Sequence, residues 1–276
     1  MGGVAGGYVI DRGKHNLLGV LVDAVDYEAS VEKIIRAAHE RRSFTVSALA
    51  VHGVMTGVQE PSHGYRLNHL DLVVPDGQPV RWALNLLHKA TMPDRVYGPT
   101  LTLKVCERAA REGLPVYLYG SKGDVLAAFR RNLCTMFPGI EIAGEQSSKY
   151  RQLTPEEKAD VVRTIEESGA RILLVGLGCP RQEVWVYEHR DALNMPMLAV
   201  GAAFDFHAGR VPQAPPVMQR AGLEWLYRLR REPARLWKRY LLLNPQYVGL
   251  VALQWLRLRK FPLVVSHPPR KELRYG

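Results

Sequence analysis

The stretch Ile172-Leu173-Leu174-Val175-Gly176-Leu177-Gly178-Cys179-Pro180-Arg181-Gln182-Glu183 decides how this chain of 276 residues is read. Its first four residues are apolar without alternation, the pattern of a strand buried on both faces. Two glycines follow, which suit a tight turn. Pro180 suits the first turn of a helix over 182–193. A doubly buried strand running straight into a helix is half of a βαβ unit, and therefore part of a parallel sheet.

The same alternation extends in both directions. Strands are expected over 17–22, 44–50, 71–74, 116–119, 140–143 and 197–200, and helices over 27–42, 80–88, 101–112 and 125–137. Thr154-Pro155-Glu156-Glu157 reads as a helix start, with Thr at the N-cap, Pro at N1 and Glu at N3, opening a helix that runs to Ser168-Gly169. The fold expected is α/β: a Rossmann-like parallel sheet flanked by helices, with ligands bound at the carboxyl ends of the strands.

Apolar residues are 47% and charged residues 23% of the chain, which excludes a disordered protein. The three cysteines, Cys106, Cys134 and Cys179, are far apart and odd in number, so neither a disulfide scaffold nor a zinc site is expected from their spacing. No D-x-D occurs and the histidines are scattered, so no metal cofactor is expected. No apolar run is long enough to span a bilayer, and the N-terminus lacks the basic start of a secretory signal. A cytoplasmic protein is the expectation.

The formal charge of +10 is unevenly spread. Residues 1–219 carry 24 basic and 24 acidic side chains, whereas residues 220–276 carry 13 basic and 3 acidic ones. Pro212, Pro215 and Pro216 mark a break, and helical segments over 222–231, 233–243 and 245–259 follow, rich in Arg, Trp, Leu and Tyr. The division expected is a catalytic domain over 1–211 and a basic helical appendage over 212–276. Trp225, Trp237 and Trp255 among Leu and Arg suit a membrane interface, though amphipathic helices packed on the body have the same composition.

Five strand ends carry candidate chemistry. Pro75-Asp76-Gly77 is either a turn with a capping Asp or a carboxylate held as a general base. Arg95, before Pro99 at a helix start, is either solvated or part of an anion site. Gly120-Ser121-Lys122-Gly123 permits close approach of a phosphate but lacks the spacing of a nucleotide fingerprint. Gly176, Gly178, Gln182 and Glu183 form either a packed βα turn or a ligand site. Asp205, between Phe204 and Phe206, is either structural or a ligand contact.

Taken together, six ordered segments resemble the WecG/TagA/CpsF family of bacterial glycosyltransferases (glycosyltransferase family 26). They are Pro75-Asp76-Gly77 with Trp82; Arg95-Val96-Tyr97-Gly98 with Leu101; Tyr119-Gly120; Gly176 to Glu183 with Trp185; Gly201-Ala202-Ala203-Phe204-Asp205-Phe206; and Gly222 to Leu229 with Glu232-Pro233 and Arg239-Tyr240. The resemblance implies an inverting transferase that moves a hexose-type sugar, such as N-acetylmannosamine or a uronic acid, from a UDP-sugar to a sugar on undecaprenyl diphosphate, without a metal. It implies Asp76 as the base and Gln182 in the donor site. Ser47 aligns with the Thr of a strand-end T-x-N pattern, from which this chain departs with Ser47 and Leu49. It further implies that the appendage docks on an anionic membrane and brings arginines to the diphosphate. Arg228, Arg231, Arg235 and Arg239 recur at helical spacing, and Pro233 splits them between two short helices.

Two other functions fit parts of the sequence. A nucleotide-dependent oxidoreductase shares the fold class, but no G-x-G-x-x-G follows the first strand. A nucleic-acid-binding protein would use a basic tail, but this tail is rich in Leu and Trp and no nucleic-acid module is present, so no nucleic-acid partner is expected. The sequence leaves open whether the chain forms a homo-oligomer.

Overall fold

A computed structural model describes residues 9–265 and 268–276. The chain opens with an antiparallel hairpin of β1 (Asp11–Leu17) and β2 (Val20–Val25). One strand was expected over 17–22, but the turn falls inside it, at Leu18-Gly19. Both residues have left-handed backbones, φ 57° and 90°. Leucine rarely takes that conformation, so the turn has only its glycine as a signal. A side chain at Gly19 would also meet the carbonyl oxygen of Pro262 at 2.8 Å.

The remaining elements are α1 (Tyr27–His39), β3 (Phe44–Leu49), α2 (Val51–Gln59), α3 (Pro61–Asn68), β4 (Leu72–Pro75), α4 (Gln78–His88) and α5 (Gly98–Glu112). Then come β5 (Val116–Gly120), α6 (Gly123–Met136), β6 (Ile142–Gln146), α7 (Pro155–Glu167), β7 (Ile172–Gly176), α8 (Arg181–His189), β8 (Pro196–Ala199) and α9 (Ala202–His207). The expected capping box of α7 is formed: Thr154 Oγ1 accepts from Glu157 N at 3.2 Å and Glu157 Oε2 accepts from Thr154 N at 3.0 Å. Helices α2 and α3 and the short α9 were not anticipated.

Six strands form one parallel sheet in the order β4-β3-β8-β7-β5-β6. The Rossmann-like α/β class expected from the sequence is therefore observed. After β4 the chain crosses to the other half of the sheet, builds outward through β5 and β6, and returns through β7 and β8. The change of direction leaves a crevice at the carboxyl ends of the central strands, where such sheets bind ligands.

Strand side chains alternate between two apolar cores. Leu173 and Val175 of β7, Met197 and Ala199 of β8 and Tyr117 and Tyr119 of β5 enter one, with α4, α7, α8 and the hairpin. Ile172, Leu174, Leu198, Val116 and Leu118 enter the other, with α1, α5, α6 and α9. Burial on both faces is what the unalternated apolar runs encoded.

Past residue 212 the chain forms α10 (Pro216–Arg220), α11 (Glu224–Arg231) and α12 (Pro233–Trp255). Two helices were expected over 233–259, broken at Pro245. A single helix runs through it instead. Proline deprives the carbonyl four residues back of its partner, here that of Leu241, and both residues lie on the exposed side of the helix where water can replace the lost bond. The second half of α12 packs on the body. Tyr247 and Val251 join the first core, and Gln254 accepts from Leu18 N at 3.0 Å and donates to Asn16 O at 3.0 Å. The last residues strap across α8, where Glu188 accepts from Leu273 N at 2.7 Å and Arg274 N at 2.9 Å.

Candidate active site

A cleft of about 690 Å³ lies over the crevice, within the range of small-ligand sites. The ends of five strands line it: Ala48–Ala50 at the end of β3, Asp76 after β4, Ser121 and Lys122 after β5, Gly176–Cys179 at the end of β7 and Val200–Ala202 after β8.

The floor is the β7–α8 turn. Gly176 has no room for a side chain, since a Cβ would stand 2.8 Å from the Phe204 ring. Pro180 is the N-cap rather than the first residue of α8. Trp185, fully buried, anchors the helix by stacking on His189, ring centroids 3.7 Å apart, and packing at a tilt against Tyr119 at 4.8 Å. That anchorage fixes Gln182, whose Oε1 accepts from Gly178 N at 3.1 Å and whose Nε2 donates to Glu183 Oε1 at 2.9 Å. A Cβ on Gly201 would lie 2.5 Å from Gln182 Oε1, so glycine at that position is a steric requirement of this arrangement. Glu183 is wholly buried, and burial raises its pKa.

Asp76 forms one wall, at the end of β4 and opposite the start of α5. Its Oδ1 accepts from Gly98 N at 2.6 Å, and a Cβ on Gly98 would stand 3.2 Å from that oxygen. Burial raises its pKa to about 6, against the opposing pull of Arg95 and the Gly98 N–H. Asp76 is thus a stronger base than an ordinary carboxylate and still ionised at neutral pH.

The C-terminal helices close this wall. Glu224 of α11 accepts from Arg95 Nη2 at 2.7 Å and Tyr97 OH at 3.1 Å, while Arg95 also donates to Gln219 Oε1 at 3.2 Å. The latch brings Arg228, one turn further on, to the cleft, with its guanidinium 5.6 Å from the Phe206 ring. Arg228 Nε has no hydrogen-bond partner.

Of the residues anticipated from sequence, Asp76, Gly176, Gly178, Gln182, Glu183, Asp205 and Arg228 line the cleft. Ser47, Arg95 and Gly120 stand behind its wall. Ser47 Oγ donates to Glu183 Oε1 at 3.3 Å. Arg95 is buried in its contacts with Glu224 and Gln219. Gly120, at φ 104°, lets β5 approach β7, because a Cβ there would meet the Gly176 carbonyl at 2.8 Å. Arg231 points to solvent against the Tyr227 ring. The side chains of Arg235 and Arg239 lie outside the described residues.

Sequence reasoning missed Tyr97, Tyr150, Arg210, Glu224 and Glu232, which also line the cleft. Arg210 pairs with Asp124 at 2.7 Å across the rim. Glu224 had a signal, since it lies in the Gly222 to Leu229 segment, but its partner Arg95 is remote in sequence. Arg210 and Tyr150 had none. Among the described residues, three metal-capable side chains also converge under the floor: His63, Cys179 and Glu183, each offering an atom within 4.8 Å of the others.

Residues 15–261 match the model of one protein family, described as the glycosyl transferase WecG/TagA/CpsF family.

Proposed function

Because the chain belongs to the WecG/TagA/CpsF glycosyltransferase family, we propose that its cleft transfers a hexose-type sugar from a UDP-sugar to a sugar on a polyprenyl diphosphate, inverting the anomeric carbon. Membership itself makes the chain a glycosyltransferase of cell-surface polysaccharide synthesis, using a nucleotide-sugar donor and a lipid-linked acceptor. Glycosyl transfer, not hydride transfer, is that family's chemistry.

The observation that carries the finer reading is the carboxylate of Asp76, recessed at the cleft with a pKa raised to about 6. Single displacement needs one base. Asp76 takes the proton of the acceptor hydroxyl as that oxygen attacks the anomeric carbon, and the bond to UDP breaks on the opposite face. Charge then develops on the diphosphate. Of the cations lining the cleft, Arg210 is paired with Asp124, which leaves Arg228 and Lys122 for the diphosphate, and the uncapped N-terminus of α6 offers backbone N–H groups beside Lys122. These groups take the part a divalent cation plays elsewhere, so the reading requires no metal at the diphosphate. Gln182 is assigned to the donor sugar, with Glu183 and Ser47 behind it as its support. Asp205 also lines the cleft and is assigned a donor contact.

The acceptor carries a lipid, and no described helix is long and apolar enough to cross a membrane. A peripheral contact suits this chain. Trp237, Leu241, Val248 and Trp255 recur at helical spacing along the exposed side of α12, with exposed Arg230 and Arg231 nearby on α11. Each arginine near an anionic leaflet adds about 1 kcal/mol. The protein is assigned to the cytoplasmic face of the membrane.

A radiolabel screen of UDP-sugars against lipid-diphosphate acceptors tests the reading, with product anomers assigned by NMR. One UDP-sugar transferred with inversion is the expected result. Retention of configuration, or thermal stabilisation by NAD and not by UDP, would overturn it.

A further inference from the structure

We propose that His63, Cys179 and Glu183 form a binding site for a divalent transition metal of the zinc class, bracing α3 against the β7–α8 turn. The site is separate from the diphosphate chemistry and does not rest on the function proposed above.

The three side chains come from separate elements, α3, the β7–α8 turn and the first turn of α8, which is why spacing in the sequence does not announce them. His63 is buried and neither ring nitrogen has a hydrogen-bond partner. Burial lowers its pKa to about 4, so the ring is neutral at physiological pH, the form that ligates metals. Glu183 is also buried. Its Oε1 is taken by Gln182 and Ser47, while its Oε2 has no partner. A buried polar atom left unpaired is costly; here His63 and Glu183 each carry such an atom, and the two side chains converge with the Cys179 thiol within 4.8 Å.

Charge points the same way. The interactions that offset burial at Glu183 are hydrogen bonds from Gln182, its own backbone, Ser47 and Cys179, none of which carries positive charge. A dication would neutralise one carboxylate and one thiolate together. On binding, the thiol proton, and the carboxyl proton where present, pass to solvent. A nitrogen, sulfur and oxygen donor set selects zinc or cobalt over magnesium or calcium. Cys179 and Glu183 also line the cleft, which leaves a fourth position for water.

Binding through Oε2 leaves Oε1 on Gln182. An occupied site therefore stiffens the floor of the cleft without moving the glutamine above it. It fastens α3, which has no side-chain cap at its start, to the helix that carries Gln182.

The test uses the full untagged chain, stripped with chelator and titrated with Co²⁺ or Zn²⁺. One equivalent of Co²⁺ should give thiolate charge-transfer and tetrahedral ligand-field absorption, lost in Cys179→Ser and in His63→Asn. On the unmodified chain, one equivalent of Zn²⁺ should slow alkylation of Cys179 by about tenfold or more. Alkylation of exposed Cys134 should not change, and Mg²⁺ should protect neither. The alkylation readout stands even if a variant fails to fold. Absence of both the cobalt band and Cys179 protection at about 100 μM free metal, well above the affinity of a built site, would overturn the proposal. So would a band that persists in His63→Asn.

Discussion

Two stretches of the C-terminal segment, residues 212–243 and 244–276, share a composition of Trp, Leu, Tyr and Arg and differ in what they touch. The first reaches the cleft through Glu224 and Arg228 and leaves Leu241 and Leu242 exposed, the latter at 61%. The second enters the body: Tyr247 is 3% exposed and donates to Pro79 O at 3.1 Å. One helix, α12, passes from one regime to the other. A shared composition therefore does not make a shared function. The first stretch supplies part of the cleft wall, and the inner face of the second completes the core beside the hairpin.

The largest expected break in this comparison is Tyr247→Ala, which removes a core ring and should destabilise the protein by about 3–5 kcal/mol in chemical denaturation. Leu241→Ala, on the exposed side of α12, should lie within about 0.5 kcal/mol of the parent and instead weaken binding to anionic vesicles. If the two behave alike, the division is wrong.

Arg228→Gln should reduce turnover by about 10²-fold with the fold intact, as loss of a group facing developing charge does. Adding Mg²⁺ or Mn²⁺ to chelated enzyme should leave the rate within a factor of about two of its starting value, because the cations proposed to meet the diphosphate are fixed in the protein. Strong stimulation would move that role from Arg228 to a metal.

Glu224→Gln is the subtler probe of the first stretch. The Glu224 charge raises the Asp76 pKa, while Arg95 lowers it. Removing the carboxylate frees Arg95 to act on Asp76, so the acidic limb of the pH–rate profile should move below about 6. An unmoved limb would separate the latch from the base.

A thermal comparison gives the smallest effect. An acid whose pKa is raised on folding binds its proton more tightly in the folded state. Its ionisation therefore costs stability as pH rises from the unfolded value through about 6. Asp76→Asn should melt higher than the parent at pH 8, and that advantage should shrink towards pH 4.

The sheet was legible because doubly buried strands leave unalternated apolar runs, and α7 because its capping box is local. Helices α2 and α3 were not. Ala50 and Glu60 precede them without a side-chain cap, and Gly53, Gly57 and Gly64 weaken the helical pattern while permitting close packing: a Cβ on Gly64 would meet the Gly57 carbonyl at 2.6 Å. The Leu18-Gly19 turn was hidden by a leucine in a glycine-like conformation. At the site, the β7–α8 turn and Asp76 could be read because each sits at a strand end within one short motif. The Glu224–Arg95 latch and the His63–Cys179–Glu183 cluster could not, since each joins residues remote in sequence that only the tertiary fold brings together.

Single-turnover kinetics of Asp76→Asn, measured alongside UDP-sugar binding, decide whether Asp76 deprotonates the acceptor. Donor affinity should be unchanged and turnover reduced by about 10²- to 10⁴-fold, with the parent's rate falling as pH drops through about 6. Near-normal turnover in Asp76→Asn would contradict that role.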